Sequence, residues 1–187
     1  VAVNRLSGWK GERVSAQFLL YSGSGVEGIR CEVRDFKSPS AVMPSDIAQA
    51  RFVRYTLADK GGKDCRCNRG PVNETILVPD MIDSLKVFNM DERTVRPVWV
   101  TVRIPQDAQP GVYKTEVVVK AKGAGKISMP IELEVLDQVL PDYKDWTFHL
   151  DLWQHPSAIA RALNLELWSD EHFEAIKQHM RPLAEAG

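Results

Sequence analysis

The chain has 187 residues, enough for one domain or one and a fraction. Its composition is 44% hydrophobic, 26% charged and 8% aromatic, which is ordinary for a soluble globular protein and unlike a disordered, collagen-like or coiled-coil chain. The 24 Lys+Arg against 25 Asp+Glu leave a formal net charge of -1, so bulk charge offers nothing to nucleic acid or an anionic membrane. No apolar run approaches the roughly 18 residues of a membrane helix. The 3 Cys cannot all pair within one chain, which excludes a disulfide scaffold. Val1-Ala2-Val3 has no basic region followed by an apolar core, which fits either a cytoplasmic protein or an exported one whose signal peptide is not in this chain, so the start does not tell the compartment.

From about Val14 to Leu136 the chain alternates apolar and polar residues with period 2, and no long amphipathic helix interrupts it. The alternation predicts strands at Val14–Tyr21, Gly28–Phe36, Ala50–Leu57 and Glu74–Val78. The Gly-rich stretch Ser22–Gly28 lacks a following Lys-Ser/Thr and reads as a hairpin loop, not a phosphate cradle. Cys65-Arg66-Cys67 has the wrong spacing for structural zinc, with only Cys31 left over, so no metal is expected. Asn73-Glu74-Thr75 matches a glycosylation sequon, which matters only in a eukaryotic secretory pathway. Asp91-Glu92 lies in a polar turn.

Val98, Val100, Val102 and Ile104 alternate with Trp99, Thr101 and Arg103, and Tyr113–Ala121 follows the same rule after a turn at Pro110-Gly111. Gly123-Ala124-Gly125 is the next turn. In Lys126–Leu136 the apolar Ile127, Met129, Ile131, Leu133 and Val135 share one face. Pro130 cannot donate to a ladder and predicts an edge or a bulge. Seven or eight short consecutive strands predict an antiparallel β-sandwich, with an up-and-down barrel as the second architecture.

The chain changes character near Pro141 to Lys144, and the expected domains are 1–143 and 144–187. All four His follow that point, and residues 144–187 carry 4 basic and 7 acidic side chains. The polar stretch DQVLPDYKD at 137–145 suits a boundary. Trp146–Trp153 reads as a strand, with Phe148, Leu150 and Leu152 on one face and His149, Asp151 and Trp153 on the other. Pro156 ends it, and Ser157 caps a short helix to about Leu163. Ser169 is the N-cap of a longer helix, opened by Asp170 and Glu171 and closed near Gly187. Phe173, Ile176, Met180 and Leu183 form its apolar side, and Pro182 kinks its last turn. His172 and His179 are seven apart, too far to share a metal, and read as a solvated face. One β–α unit has no partner strand, so the chain is expected to be a fragment cut after the first unit of an α/β domain.

The segments Trp9-Lys10-Gly11-Glu12-Arg13, Arg51-Phe52-Val53-Arg54-Tyr55, Val98–Pro105 and Pro110-Gly111-Val112-Tyr113 resemble the N-terminal region of glycoside hydrolase family 123. So do Phe148-His149-Leu150-Asp151-Leu152-Trp153-Gln154-His155-Pro156 and Leu167-Trp168-Ser169-Asp170-Glu171-His172. The resemblance implies a β-sandwich followed by a truncated (β/α)8 barrel that carries the chemistry. It implies retaining hydrolysis of β-linked N-acetylgalactosamine-like glycans, with the substrate acetamido group as nucleophile and an adjacent Asp-Glu pair in attendance. Neither Asp91-Glu92 nor Asp170-Glu171 fits that pair, so no catalytic residue is expected here and this chain alone is expected to be inactive. The resemblance also implies export to the periplasm or cell surface, no cofactor, and a glycan substrate bound by the complete protein.

If Trp146–Trp153 is the first barrel strand, Asp151, Trp153, Gln154 and His155 stand at the rim of a sugar pocket, with His149 deeper inside. Trp offers a flat apolar face to a sugar ring, and Asp or Gln binds its hydroxyls. His149 and Asp151 could equally bond each other or backbone. The alternative from another class is a non-catalytic carbohydrate- or protein-binding sandwich. That reading requires exposed aromatics on the sandwich itself, and Trp9, Trp99 and Tyr21 are the candidates.

Overall fold

The computed structural model describes residues 2–59, 75–148 and 150–184. The chain is mainly β and divides into two compact units, Val1–Leu140 and Pro141–Gly187.

The first unit holds β1 (Asn4–Lys10), β2 (Arg13–Ser22), β3 (Val26–Val33), β4 (Phe36–Lys37), β5 (Val42–Met43) and β6 (Ala48–Asp59). It continues with β7 (Thr75–Ile82), β8 (Phe88–Met90), β9 (Thr94–Arg103), β10 (Gly111–Lys120) and β11 (Ile127–Val139). Among the described residues one sheet runs β1-β11-β10-β3-β8, with β4 and β5 attached beside β10. The other runs β2-β9-β6-β7. Pairing is antiparallel except for β1, which lies parallel to β11. This order, with β1 beside β11 and strands divided between two sheets, is not that of an up-and-down barrel.

The alternation of the sequence is what builds the core. Phe18, Phe52, Val98, Val100 and Val102 of the four-stranded sheet share one buried cluster with Val117, Met129, Ile131 and Leu133 of the other. Two apolar faces meeting this way leave the polar positions of each strand in water. The strands predicted from alternation between Val14 and Leu136 are present among the described residues. The faint ones are β1, β5 and β8. In β1 the positions alternating inward are Asn4, Leu6 and Gly8, a pattern with little hydrophobic signal. Gly8 is required there, because a Cβ would stand 2.7 Å from Val14 Cγ1 and 2.8 Å from Ile104 Cδ1.

The expected hairpin at Ser22–Gly28 and the turn at Pro110-Gly111 are both passages between sheets. Ser22–Gly28 leads from β2 to β3, and Pro110-Gly111 leads from β9 to β10. The reason is the buried cluster itself: alternation encodes which face is apolar, not which sheet receives the strand. Pro130 makes no bulge, since β10 and β11 stay in continuous register from Gly111↔Val135 to Val119↔Ile127. It is tolerated because β1 pairs only from Ile131 onward, leaving that position locally at an edge.

In the second unit a 3-10 turn at Tyr143–Asp145 precedes α1 (Pro156–Leu163) and α2 (Asp170–Ala184). The strand expected at Trp146–Trp153 is absent: residues 146–148 and 150–155 are irregular. A strand needs ladder partners for its N–H and C=O groups, and no described strand lies in this unit to provide them. Pro156 starts α1 rather than ending a strand, with its missing N–H harmless in the first turn. Ser157 is not the cap; His155 holds the N-cap position without a side-chain cap bond.

Candidate functional site

The segment before α1 presents the expected sugar-binding residues as consecutive exposed side chains. Asp151, Trp153, Gln154 and His155 are all exposed, and Trp153 has 91% of its surface open to solvent. Gln154 Nε2 donates to the Leu152 carbonyl at 3.4 Å, and His155 Nδ1 shares a 2.9 Å hydrogen bond with Ser157 Oγ. Asp151 and Trp153 have no hydrogen-bond partner among the described residues. His149 lies outside the described residues. So do Cys65, Cys67, Asn73 and Glu74. Trp146 stacks on Phe148 at 5.0 Å, and its indole N–H donates to the Pro141 carbonyl at 3.1 Å.

His172 is not part of a solvated face. It is fully buried, with 0% exposure, and it ties the unit together. The Trp168 backbone N–H donates to its Nδ1 at 3.0 Å, and its Nε2 meets the Pro156 carbonyl at 3.0 Å. A backbone N–H can only donate and a carbonyl can only accept. Both bonds are therefore made by the neutral ring carrying its proton on Nε2. Trp168 holds φ 68, costly for a bulky residue, and the His172 bond pins its backbone there. Ser169 caps α2 as expected, its Oγ accepting from the His172 N–H at 3.2 Å.

The buried side of α2 is rotated from the apolar stripe. His172 and Ala175 point inward, while Phe173 and Met180 remain exposed. Sequence reasoning missed this because a histidine on a helix scores as polar. The usable signal was its position: the third helical residue after a Ser cap, four beyond Trp168.

On the first unit, the three aromatics named for a binding sandwich do not form one platform. Trp9 belongs to β1 of the larger sheet, whereas Tyr21 and Trp99 lie on the outward face of the smaller one. Tyr21 is 68% exposed and Trp99 is half-buried. The segments that looked distinctive have structural work. Glu12 Oε2 accepts from the Trp9 N–H at 2.7 Å across a turn that needs Gly11 at φ 85. Tyr113 is buried and donates its hydroxyl to the Gln109 carbonyl at 2.8 Å, fixing the bend into β10.

A second polar cluster centres on the buried Asp83, just after β7, and Arg54 of β6. Asp83 Oδ2 receives Arg54 Nε at 2.8 Å and Nη2 at 2.7 Å, and its Oδ1 accepts from the Leu85 N–H at 3.0 Å. The Leu85 amide first, and the Arg54 guanidinium with it, hold the Asp83 carboxyl below its usual value. Arg96 packs its guanidinium 4.1 Å from the Phe88 ring centroid and 5.0 Å from that of Tyr55, and donates to the Val53 carbonyl at 2.8 Å. Partial burial pushes the Cys31 thiol up to about 12, which keeps it protonated at neutral pH. No group of three or more His, Cys, Asp or Glu able to hold a metal occurs among the described residues.

Residues 2–121 match the glycoside hydrolase 123 N-terminal domain, and residues 153–187 match the glycoside hydrolase 123 catalytic domain. No curated protein matches the chain. Among solved structures, a family 123 glycoside hydrolase from Clostridium perfringens, described for its hydrolysis of glycolipid glycans, is similar with TM-score 0.86 and 21% identity. The match covers 97% of this chain and 31% of that one, so the chain spans about a third of that relative. The periplasmic chaperone SfaE matches at TM-score 0.39 and 9% identity, over 76% of this chain and 60% of that one. A PapD-like domain of human CEP192 matches at TM-score 0.35 and 9% identity, over 73% and 83%. Neither of these two bears on function.

Proposed function

The chain belongs to glycoside hydrolase family 123, and on that premise we propose that it is the N-terminal part of a glycosidase acting on β-linked N-acetylhexosamine, of the N-acetylgalactosamine kind. In this reading residues 1–143 are an accessory β-sandwich and residues 144–187 open a (β/α)8 catalytic barrel. The observation that carries it is the match of residues 153–187 to the catalytic domain of the family. It is supported by the apolar side chains that the second unit leaves exposed, among them Phe148, Trp153 and Trp168. A strand and its neighbours would cover such a surface in a closed barrel.

The mechanism of the family suits an acetamido sugar. The acetamido oxygen attacks the anomeric carbon while a Glu carboxyl gives its proton to the departing glycosidic oxygen. The neighbouring Asp orients the acetamido group. Water then returns: the Glu carboxylate takes its proton, the oxygen adds to the anomeric carbon, and the acetamido ring reopens with configuration retained. Asp91-Glu92 is a turn between β8 and β9, and Asp170-Glu171 starts α2, so the pair is sought outside residues 1–187. The part given to this chain is sugar binding by Asp151, Trp153, Gln154, His155 and His149. Location in the periplasm or at the cell surface belongs to the same reading, and cell fractionation tests it.

The test is hydrolysis of 4-nitrophenyl N-acetyl-β-galactosaminide by the complete protein, with the first product followed by NMR. Release of the β-anomer is expected, with no turnover by residues 1–187 alone. Release of the α-anomer, or no turnover by the complete protein, overturns the reading. Asp151→Ala in that protein should lower kcat/KM about 10-fold or more, the scale of one or two lost hydrogen bonds. Unchanged kinetics remove Asp151 from the site.

A further inference from the structure

Three arginines converge on the outward face of the four-stranded sheet, and nothing described neutralises them. Arg13 of β2 stands directly opposite Arg103 of β9. Like charges in that position repel. On the far side of β9, Arg51 of β6 is the cross-strand neighbour of Trp99. Trp99 and Arg103 are four positions apart, about 13 Å along the strand. Between these two levels lies a row made by Thr101 and its partner Gln49.

Arg13, Gln49, Arg51, Thr101 and Arg103 line one groove of about 850 Å³ on the first unit, and Trp99 stands outside its lining, beside Arg51. All three guanidinium side chains are exposed, and none is within ion-pair distance of a carboxylate among the described residues. Asp46 is the one acid among the groove-lining residues. Arg51 Nη2 donates to Gln49 Oε1 at 2.6 Å, which steers that guanidinium along the Gln49–Thr101 row. The other donors of Arg51, and those of Arg13 and Arg103, have no hydrogen-bond acceptor among the described residues.

A sheet tolerates an opposed arginine pair more readily when an anion sits between the forks. Guanidinium forks match carboxylate or sulfate oxygens two at a time. Gln49 and Thr101 offer amide and hydroxyl groups suited to sugar hydroxyls. Trp99, one row beyond, is a half-exposed flat indole of the kind that receives a pyranose face. We propose that this groove binds an acidic glycan, an oligosaccharide carrying carboxylate or sulfate groups. The proposal takes only the ligand class, glycan, from the function proposed above.

The experiment titrates the 187-residue chain with a chondroitin sulfate tetrasaccharide, tetragalacturonate, neutral chitotetraose, inorganic sulfate and a poly-glutamate peptide, by calorimetry and amide NMR. One or both acidic oligosaccharides should bind, weaken as salt rises, and shift amides of β2, β6 and β9 around the groove. Chitotetraose should bind at least 10-fold more weakly. Arg51→Gln and Arg103→Gln, exposed changes that keep the side-chain stem, should each weaken binding about 10-fold with an unchanged melting curve. Absence of binding overturns the proposal, as does binding that the double variant keeps. Sulfate or poly-glutamate binding as tightly as the oligosaccharide also overturns it, in favour of a general anion or acidic-peptide groove. Acidic-glycan binding in a protein that fails the hydrolysis test leaves the groove standing and removes the glycosidase reading.

Discussion

Asp83 shows how one side chain can couple stability to pH. It is buried, it accepts from Arg54 and from the Leu85 amide, and its pKa is depressed in the fold. Its contribution is therefore fully present above the unfolded-state pKa of about 3.9 and is lost as pH falls through the folded value. Asp83→Asn should lower the urea midpoint at pH 7, and the gap from the parent chain should shrink below about pH 4. Equal gaps at pH 7 and pH 3 would show that the carboxylate charge plays no part. Tyr113 gives a second test at this scale. Tyr113→Phe keeps the ring in the core and removes only the bond to Gln109, so a loss of about 1 kcal/mol is expected from urea unfolding. The Pro-Gly-x-Tyr segment thus reads as a folding device, and its appearance in the sequence says nothing about ligand.

At the scale of elements, the strands and the helices were legible to different degrees. β9, β10 and β11 announce themselves because each buries one full alternating face in the shared core. α2 announces its start through Ser169, Asp170 and Glu171, and the capping bond from the His172 amide is present. What the pattern hides is the face it turns inward, because a satisfied histidine replaces an apolar anchor. His172→Ala should leave the Trp168 N–H unpaired and open a cavity, costing about 2–4 kcal/mol. Hydrogen exchange should then quicken in α1 and α2 while β9 to β11 keep their protection. His172→Phe, which fills the space but makes neither bond, should quicken it too. Unchanged exchange in both variants would show that the two hydrogen bonds carry no stability.

At the scale of the molecule, the two units differ in how much they bury. The first has a continuous core drawn from both sheets, whereas Ala160, His172 and Ala175 are the buried residues described in the second. So small a core holds a unit of this size only weakly. Limited proteolysis of the monomeric chain should cut residues 146–187 while Val14–Leu136 resists, read by mass spectrometry of the first fragments. Equal protection of both parts would contradict that difference in stability.

Taken by itself, the sequence determined the strand-rich first unit, most strand positions, the start of α2 and the likeness to family 123. Each of these is a local signal: alternation, a cap, a turn residue, a short run of matching residues. Only the tertiary structure decided how the strands divide between two sheets, that residues 146–148 and 150–155 form no strand, that His172 is a buried anchor, and that Arg13, Arg51 and Arg103 share a groove. The physical reason is common to all four. Each depends on partners distant in the chain: a neighbouring strand, an opposing carbonyl, or a side chain across a register. Periodicity describes a segment's own faces, and it carries no record of what meets them.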